Sequence, residues 1–178
     1  MRGRGYNGRR NKCKTVVIYT DGACANNGQE GARAGYGVYW GPNHPNNISE
    51  PLVGYPQTNN RAEYKAVDEA LDQARALDYD RVILRTDSNL LIRSLEDYIH
   101  KWVHNGWITA KGTPVKNRQE LESIYEHMDN IEVIFEHVPA HAGIRGNVEA
   151  DRLARQGIQK NYDYSDSDSD SNYDYFYN

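Results

Sequence analysis

The chain has 178 residues, the length of one ordinary domain, and its 38% hydrophobic and 26% charged residues suit one apolar core in a water-soluble protein. No apolar run approaches the ~20 residues of a membrane span and no secretory leader follows Met1, so we expect neither a membrane protein nor a secreted one. Cys13 and Cys24 lack the spacing of disulfide frameworks or zinc sites, which favours a reducing, intracellular compartment, the cytoplasm or alternatively the nucleus.

The net charge of −4 is spread unevenly over three regions. Residues 1–14 carry six basic side chains and no acidic one, and we interpret them as a disordered basic arm. Residues 161–178 carry five aspartates and no base in a Tyr/Asp/Ser sequence that is typical of a disordered, low-complexity tail. The domain between them, residues 15–160, has 15 basic and 20 acidic side chains, a balance that needs explaining if it binds nucleic acid.

Three strand signals precede the first helix signal. Val16–Asp21 is a β-branched run, Ala34–Trp40 alternates with a period of two, and Ile48–Tyr55 does so more weakly. Because the three strands are close in sequence, they favour an antiparallel meander. Apolar residues then recur at intervals of three and four, which predicts one helix over Asn59–Leu77.

The second half of the chain mixes strand and helix signals. Arg81–Asp87 is the predicted fourth strand and Ile131–Val138 the predicted fifth, followed by a glycine-containing loop over Pro139–Gly146. The predicted helices of this half, in chain order, cover Ser88–Leu95, Tyr98–Asn105, Gln119–Met128 and Asn147–Gln159. The whole order predicts an α/β fold in which helices pack against a mixed sheet.

The first and fourth predicted strands end alike, each in a threonine followed by an aspartate, Asp21 or Asp87. If the two strands are parallel neighbours, both aspartates emerge at the carboxyl edge of the sheet, where α/β proteins bind their ligands. A single aspartate after a strand is more often a helix cap or a turn residue. The matched pair favours a shared site.

Two further acids lie early in predicted helices: Glu63 in the long helix and Asp151 in the last one. Taken singly, each could serve to complement the helix dipole. Four carboxylates that converged on one sheet edge would repel one another and would require divalent cations, for which such oxygen ligands are suited. Two such ions about 3.5–4 Å apart form the clamp used for in-line phosphoryl transfer.

These acids belong to short sequence blocks that occur together in one known family. The blocks are Tyr19-Thr20-Asp21-Gly22, Tyr39-Trp40-Gly41-Pro42, Thr58-Asn59-Asn60-Arg61-Ala62-Glu63, Thr86-Asp87-Ser88, Asn105-Gly106-Trp107 and the segment from His141 to Ala154. In this order, and on these predicted elements, they resemble type 1 ribonuclease H over roughly residues 15–158.

The resemblance implies a ribonuclease H-like fold: a five-stranded mixed sheet flanked by helices, with the first three strands antiparallel and the fourth and fifth parallel to the first. It also implies an endoribonuclease that hydrolyses the RNA strand of RNA–DNA hybrids and leaves 5′-phosphate and 3′-hydroxyl ends. The implied cofactor is Mg²⁺, two ions per site, with Mn²⁺ as a substitute. Two Mg²⁺ ions would offset four negative charges and leave residues 15–160 nearly neutral towards a phosphate backbone.

Carried over by position, the resemblance assigns both catalysis and metal binding to four carboxylates: Asp21, Glu63, Asp87 and Asp151. Asp21 would bridge the two ions. His141, in the loop before the last helix, would shuttle protons and help the product to leave. A histidine on a surface loop without any such role is the alternative for this position.

The resemblance also implies how both strands of a hybrid would be held. The residues expected to contact RNA riboses, whose 2′-hydroxyls are exposed in a wide and shallow minor groove, are Asn27, Asn59, Asn60 and Glu63. Tyr98 and Trp102 would contact the DNA strand, and Thr58 and Asn117 would grip one of its phosphates. Turn and cap functions are the alternative for the asparagines.

Several positions depart from the better-known cellular members of the family. Leu90 stands at an aromatic position of the DNA channel, Tyr98 at a position that is commonly Trp, and Pro56 where a basic residue is often found. We expect Trp107 to be mainly structural. These departures bear on the affinity for the DNA strand and not on the chemistry.

Three other readings compete with an active, monomeric ribonuclease H that acts on RNA–DNA hybrids away from membranes. The first is a catalytically silent hybrid-binding protein on the same fold, which the four carboxylates and His141 disfavour. The second is a related-fold nuclease or integrase, which the His141 loop and the Asn105-Gly106-Trp107 block disfavour. The third is a ribonuclease H domain tethered to a polymerase, whereas we expect a free chain.

Overall fold

A computed structural model describes residues 13–160 of the protein. The predicted tail, and all of the predicted basic arm except its last two residues, lie outside the described residues. Lys14 is bound into the folded body: its backbone N–H donates to Asp80 Oδ2 at 2.7 Å, and its Nζ lies 4.4 Å from the centre of the Tyr79 ring. The folded body therefore already includes Lys14.

Five strands form one mixed sheet. They are β1 (Thr15–Ala25), β2 (Arg33–Tyr39), β3 (Ile48–Pro51), β4 (Arg81–Thr86) and β5 (Glu132–His137). Their order across the sheet is β3-β2-β1-β4-β5. The β1–β2 and β2–β3 pairs are antiparallel, whereas β1–β4 and β4–β5 are parallel. The predicted fold is therefore confirmed, including the direction of every strand.

The helices follow the predicted order. They are α1 (Asn59–Ala76), α2 (Asn89–Arg93), α3 (Ile99–His104), α4 (Arg118–Met128) and α5 (Arg145–Gln159). A π-helical turn over Ser94–Tyr98 joins α2 to α3, where the sequence predicted two separate helices. Between residues 13 and 160 no helix has both the length and the apolar character needed to cross a membrane.

The main core lies between one face of the sheet and α1. Ile18 of β1 and Leu84 of β4 are fully buried, as are Val67 and Leu71 of α1. Burying one such side chain contributes about 1.5–3 kcal/mol. This packing fixes α1 on the sheet, and with it the helical turn that carries Glu63.

The opposite face of the sheet receives α5. Gly37 of β2 allows a close approach, because a Cβ at this position would lie only 2.6 Å from the backbone nitrogen of Ala154. A smaller apolar cluster of Tyr39, Ala150 and Leu153 completes this contact. Since a side chain at position 37 would push α5 away, the glycine holds Asp151 of α5 close to β1 and β2.

The strand bounds differ from the sequence expectations by more than one residue at two places. The prediction that the first strand ends at Asp21 is wrong, because β1 continues to Ala25 by pairing with β2 down to Arg33. The third strand ends at Pro51 rather than Tyr55. The first difference matters for the site, because it places Asp21 within β1 and not after it.

Candidate active site

Asp21 and Asp87 stand side by side where two parallel strands stop pairing. The last pair of the β1–β4 ladder is Tyr19 with Arg85. Asp21 lies two residues after Tyr19, still within β1, and Asp87 lies two residues after Arg85, just beyond the end of β4. Because side chains alternate along a strand, Asp21 points to the same face of the sheet as Tyr19, and Asp87, just beyond β4, lines the same cleft. Asp21 is buried, with 8% of its surface exposed, and its Oδ1 accepts the Gly22 N–H at 2.8 Å.

Glu63 reaches the two aspartates from α1. A Cβ on Gly22 would lie 2.7 Å from the carbonyl carbon of Ala62, so the glycine lets the first turn of α1 contact β1 directly. The carboxylate of Glu63 is then held at both oxygens. Asn59 Nδ2 donates to Oε1 at 2.7 Å, and Ser88 Oγ donates to Oε2 at 2.6 Å.

The first three turns of α5 supply the remaining polar groups. Asn147, which is 5% exposed, donates from Nδ2 to Asp87 Oδ2 at 3.0 Å, whereas its Oδ1 has no hydrogen-bond partner among the described residues. One turn later, Asp151 accepts from Arg155 Nε at both carboxylate oxygens, at 2.7 and 2.9 Å. The helix therefore contributes an acceptor, an amide and a guanidinium to one place.

These side chains line an open cleft of about 270 Å³. The polar side chains of its lining are Asp21, Asn59, Glu63, Asp87, His141, Asn147, Asp151 and Arg155. The structure thus brings together all four carboxylates singled out in the sequence, together with His141. His141 is exposed and lies at a φ of 54°, in the left-handed region that few non-glycine residues occupy.

The electrostatics of the cleft are dominated by the negative charge of its four carboxylates, which Arg155 offsets at Asp151. Burial, followed by repulsion from Asp87 and more weakly from Asp151 and Glu63, raises the pKa of Asp21 to about 8. Burial also raises the pKa of Glu63, and Asp87 adds to that rise, while the bonds from Ser88 and Asn59 oppose it. The site therefore favours any cation that can enter it.

The donor set fits a hard divalent cation. The ionised form of Asp21 is disfavoured by burial and by the neighbouring carboxylates, and a cation would stabilise it. Asn147 Oδ1, which has no hydrogen-bond partner among the described residues, adds a neutral oxygen of the kind that binds such ions. Within residues 13–160, no three His, Cys, Asp or Glu side chains are arranged around a common ion position. Each carboxylate is also held by a protein donor. Asp151, whose two oxygens both face the guanidinium of Arg155, would have to exchange that contact in order to bind a cation.

The asparagines singled out for the RNA strand surround the start of α1. Asn59 lines the cleft, and its backbone N–H donates to Asn27 Oδ1 at 3.2 Å. Asn27 is exposed in the loop after β1, and Asn60 is exposed on the first turn of α1. Neither of these two lines the cleft. Thr58 caps α1 by accepting the Arg61 N–H at 3.2 Å.

Apart from Thr58 at the start of α1, the residues singled out for the DNA strand lie around α3 and α4 and do not line the cleft. The rings of Tyr98 and Trp102 are 5.6 Å apart, and the hydroxyl of Tyr98 accepts from Arg93 at 2.6 Å. Asn117 stands before α4 in the left-handed conformation, and its side chain does not cap that helix. Trp107 is buried in the main core, as expected for a structural residue.

Sequence reasoning missed three residues of the site: Ser88, Asn147 and Arg155. Ser88 and Asn147 were visible only as part of a matching block or as a cap, and Arg155 lies just beyond the last matching block. Asn147 and Arg155 lie four residues before and after Asp151, which places all three on one helix face, so helical spacing was a usable signal. The bond from Ser88 to Glu63 joins two distant segments, and no local pattern indicates it.

Comparison with known proteins gives a consistent picture. Residues 13–159 match the RNase H family model. The chain is 42% identical to Ribonuclease H1 of Mus musculus over 150 residues, which are 84% of this chain and 52% of that protein. It is 38% identical to Ribonuclease HI of Rickettsia prowazekii over 145 residues, 80% of this chain and 90% of that protein. The chain thus spans about half the length of the mammalian relatives it matches.

Solved structures agree with this match. A foamy viral protease-reverse transcriptase in complex with RNA/DNA hybrid superimposes with a TM-score of 0.67 and 26% sequence identity. The superposition covers 82% of this chain and 20% of the viral one.

Proposed function

Because this chain belongs to the RNase H family, we propose that it is an endoribonuclease that hydrolyses the RNA strand of RNA–DNA hybrids, leaving 5′-phosphate and 3′-hydroxyl ends. One observation carries the proposal: the four carboxylates Asp21, Glu63, Asp87 and Asp151 meet in one cleft beside His141. The solved complex of the viral relative with RNA/DNA hybrid supports the same class of substrate.

The carboxylates would hold two Mg²⁺ ions, which Mn²⁺ could replace. When bound, such a pair activates a water and stabilises the charge that develops during in-line displacement at a phosphate. Asp21 would be the carboxylate best suited to contribute to both ion sites, because the charges of the other three carboxylates all raise its pKa. Asn147 orients Asp87 through its Nδ2, and Ser88 and Asn59 orient Glu63.

His141 is the residue of the cleft suited to move protons. It is exposed on the loop that precedes α5, so its imidazole can reach both the substrate and solvent. Histidine is the side chain most often used for proton transfer near neutral pH. In this role it would deliver or accept a proton at the reacting oxygens and assist product release.

Recognition of the RNA strand would rest on short amide side chains at the cleft. Asn59 already contacts both Glu63 and Asn27, so these groups form one polar surface beside the carboxylates. Together with Asn60, they offer donors and acceptors to ribose 2′-hydroxyls, which DNA lacks. The RNA strand would thereby be selected by its sugars.

Recognition of the DNA strand would rest on the region around α3 and α4. The tilted pair of Tyr98 and Trp102 offers aromatic surface to the sugar–phosphate backbone. Thr58 and Asn117 would hold one phosphate between the starts of α1 and α4. Since these contacts read shape and not base edges, we expect little sequence preference.

The proposal extends to the state and location of the protein. Cys13 and Cys24 are both free thiols, which suits a reducing intracellular compartment. We propose a monomer in that compartment. Sedimentation of the purified chain would test the monomeric state independently of activity.

The direct test is cleavage of a hybrid with a labelled RNA strand, in Mg²⁺, in Mn²⁺ and in EDTA. We expect internal cuts in the RNA strand with either cation and none in EDTA. The new 3′-hydroxyl ends should be extendable by a polymerase, and the 5′-phosphate ends should be ligatable. Tight hybrid binding without cleavage in either cation would instead indicate a catalytically silent binding protein.

A further inference from the structure

We propose that Arg155 exchanges partners during the reaction: it neutralises Asp151 in the metal-free protein and turns to an RNA phosphate when divalent cations occupy the cleft. This inference rests on the proposed function, because it assigns a role at the same site. It makes Arg155 a positioning residue that couples cation binding to substrate binding.

The geometry of the pair is the first observation. Arg155 Nε lies 2.7 Å from one oxygen of Asp151 and 2.9 Å from the other. Both oxygens therefore face the guanidinium, in the place where an incoming cation would have to bind. These contacts use only the Nε–H of Arg155, while an arginine has four further N–H donors.

The position of Arg155 is the second observation. Among the described residues that line the cleft, it is the only lysine or arginine. It is one helical turn from Asp151, so after release its charge stays at the rim of the cleft. A freed guanidinium matches the geometry of a phosphate and forms short, charge-assisted hydrogen bonds with it.

The pair is also weak enough to be exchanged. The side chain of Arg155 is 64% exposed and that of Asp151 is 32% exposed, so water competes for both charges. Exposed ion pairs of this kind change an equilibrium by only about two- to fivefold. A divalent cation that gains several carboxylate oxygens can therefore displace Arg155 from Asp151.

Arg152 provides a matched control on the same helix. It is 51% exposed and pairs with Glu149 at 2.9 Å and with Gln156 at 2.8 Å. It is thus an arginine of similar exposure with an i,i−3 acid, but it does not line the cleft. A general effect of removing one positive charge from α5 should appear equally in Arg152→Ala.

The first arm of the test omits nucleic acid and titrates the full chain with Mg²⁺ by calorimetry. Arg155→Ala should bind Mg²⁺ about two- to fivefold more tightly than the wild type, because the guanidinium no longer competes for Asp151. Arg152→Ala should match the wild type. Unchanged Mg²⁺ affinity in Arg155→Ala would reduce the pair to an ordinary helix contact and overturn the proposal.

The second arm measures binding of a fixed RNA–DNA hybrid in Ca²⁺ and in EDTA, read before any strand is cut, as a gel of the same samples shows. Arg155→Ala should lose about tenfold in affinity in Ca²⁺ and little in EDTA, where Arg155 of the wild type stays on Asp151. Equal losses in both conditions would contradict the exchange. Neither arm depends on turnover, whereas the proposed function fails only if the wild type leaves the hybrid uncut in Mg²⁺.

Discussion

Ser88 Oγ donates a 2.6 Å hydrogen bond to Glu63 Oε2 and, with the same oxygen, caps α2 by accepting the Leu91 N–H at 3.3 Å. One hydroxyl therefore links α1 to α2 at the edge of the cleft. The bond opposes the rise in the pKa of Glu63 that burial causes. Ser88 thus helps to keep Glu63 ionised, as a cation ligand must be.

Ser88→Ala should lower kcat/KM and move the acidic limb of the pH–rate profile to higher pH, because Glu63 then ionises less readily. The lost cap should also cost about 1 kcal/mol of stability. Ser123→Ala is the matched control, since Ser123 Oγ donates to Asp68 at 2.5 Å outside the cleft. If both variants had the wild-type pH profile, Ser88 would be a helix cap and nothing more.

Asp21→Asn should abolish cleavage while leaving hybrid binding largely intact. The substitution removes one charge from the ligand that we propose for both ions, without emptying the cleft. Single-turnover cleavage in Mg²⁺, compared with the wild type in EDTA, is the appropriate measurement. Undiminished cleavage by the variant would refute the assignment of the metal site.

The same variant should be more stable than the wild type when metal is absent and the pH is high. Burial and then repulsion from Asp87 raise the pKa of Asp21 from 3.8 to about 8, so the folded protein keeps a proton that the unfolded chain has already released. This contribution is complete below about pH 4 and is lost as the pH rises through about 8.

In EDTA, the Tm of the wild type should therefore fall from about pH 5 to about pH 9 more steeply than that of Asp21→Asn. Asp72→Asn, which changes an exposed acid of α1, should follow the wild type. Added Mg²⁺ should restore wild-type stability at the higher pH. If the Tm of all three proteins depended on pH in the same way, ionisation of Asp21 would not destabilise the folded protein.

The sequence predicted the sheet and the pairing of Asp21 with Asp87 because both depend on local patterns. Two apolar segments each lead into a Thr-Asp pair, and if these segments form parallel neighbouring strands, their aspartates must lie at the same edge of the sheet. The end of β1 was not predictable in the same way. Beyond Tyr19 the strand loses β4 but keeps β2 as its partner, and this depends on where Arg33 lies in space.

The π-helical turn at Ser94–Tyr98 and the partners of the carboxylates also escaped prediction. The π-helical turn cannot be recognised from the spacing of apolar residues, because α2 and α3 on either side of it are each too short to show a helical period. The buried Oδ1 of Asn147 follows from the packing of α5 on the sheet. Such features depend on tertiary contacts and not on local sequence.

His141→Ala should slow turnover without abolishing it. Proton transfer by a well-placed group typically contributes about 10²–10⁴-fold, and a role limited to product release would give a smaller loss. Single-turnover and steady-state rates separate the two roles, since only the latter include product release. Wild-type values for both rates would make His141 a surface residue of the loop.

Both charged ends should be dispensable for chemistry, but removing either one should change the affinity for the hybrid. Deleting residues 1–12 removes five cations while sparing Lys14, and it should weaken hybrid binding and flatten its dependence on salt. Deleting residues 161–178 removes five aspartates and should strengthen binding slightly. Affinities across a salt series test both variants. Loss of folding on removal of the tail would contradict its interpretation as a disordered segment.

The central claim is that both strands of a hybrid are read, one by its sugars and one by its shape. DNA duplex offers no 2′-hydroxyls to Asn27, Asn59 and Asn60, whereas the second strand of RNA duplex is too rigidly A-form for the surface near Trp102. The most direct test presents one labelled sequence as hybrid, RNA duplex, DNA duplex and single-stranded RNA, in Mg²⁺. We predict efficient cleavage of the RNA in the hybrid alone. Comparable cutting of single-stranded RNA would contradict recognition of both strands, even if the four carboxylates proved to be the metal site.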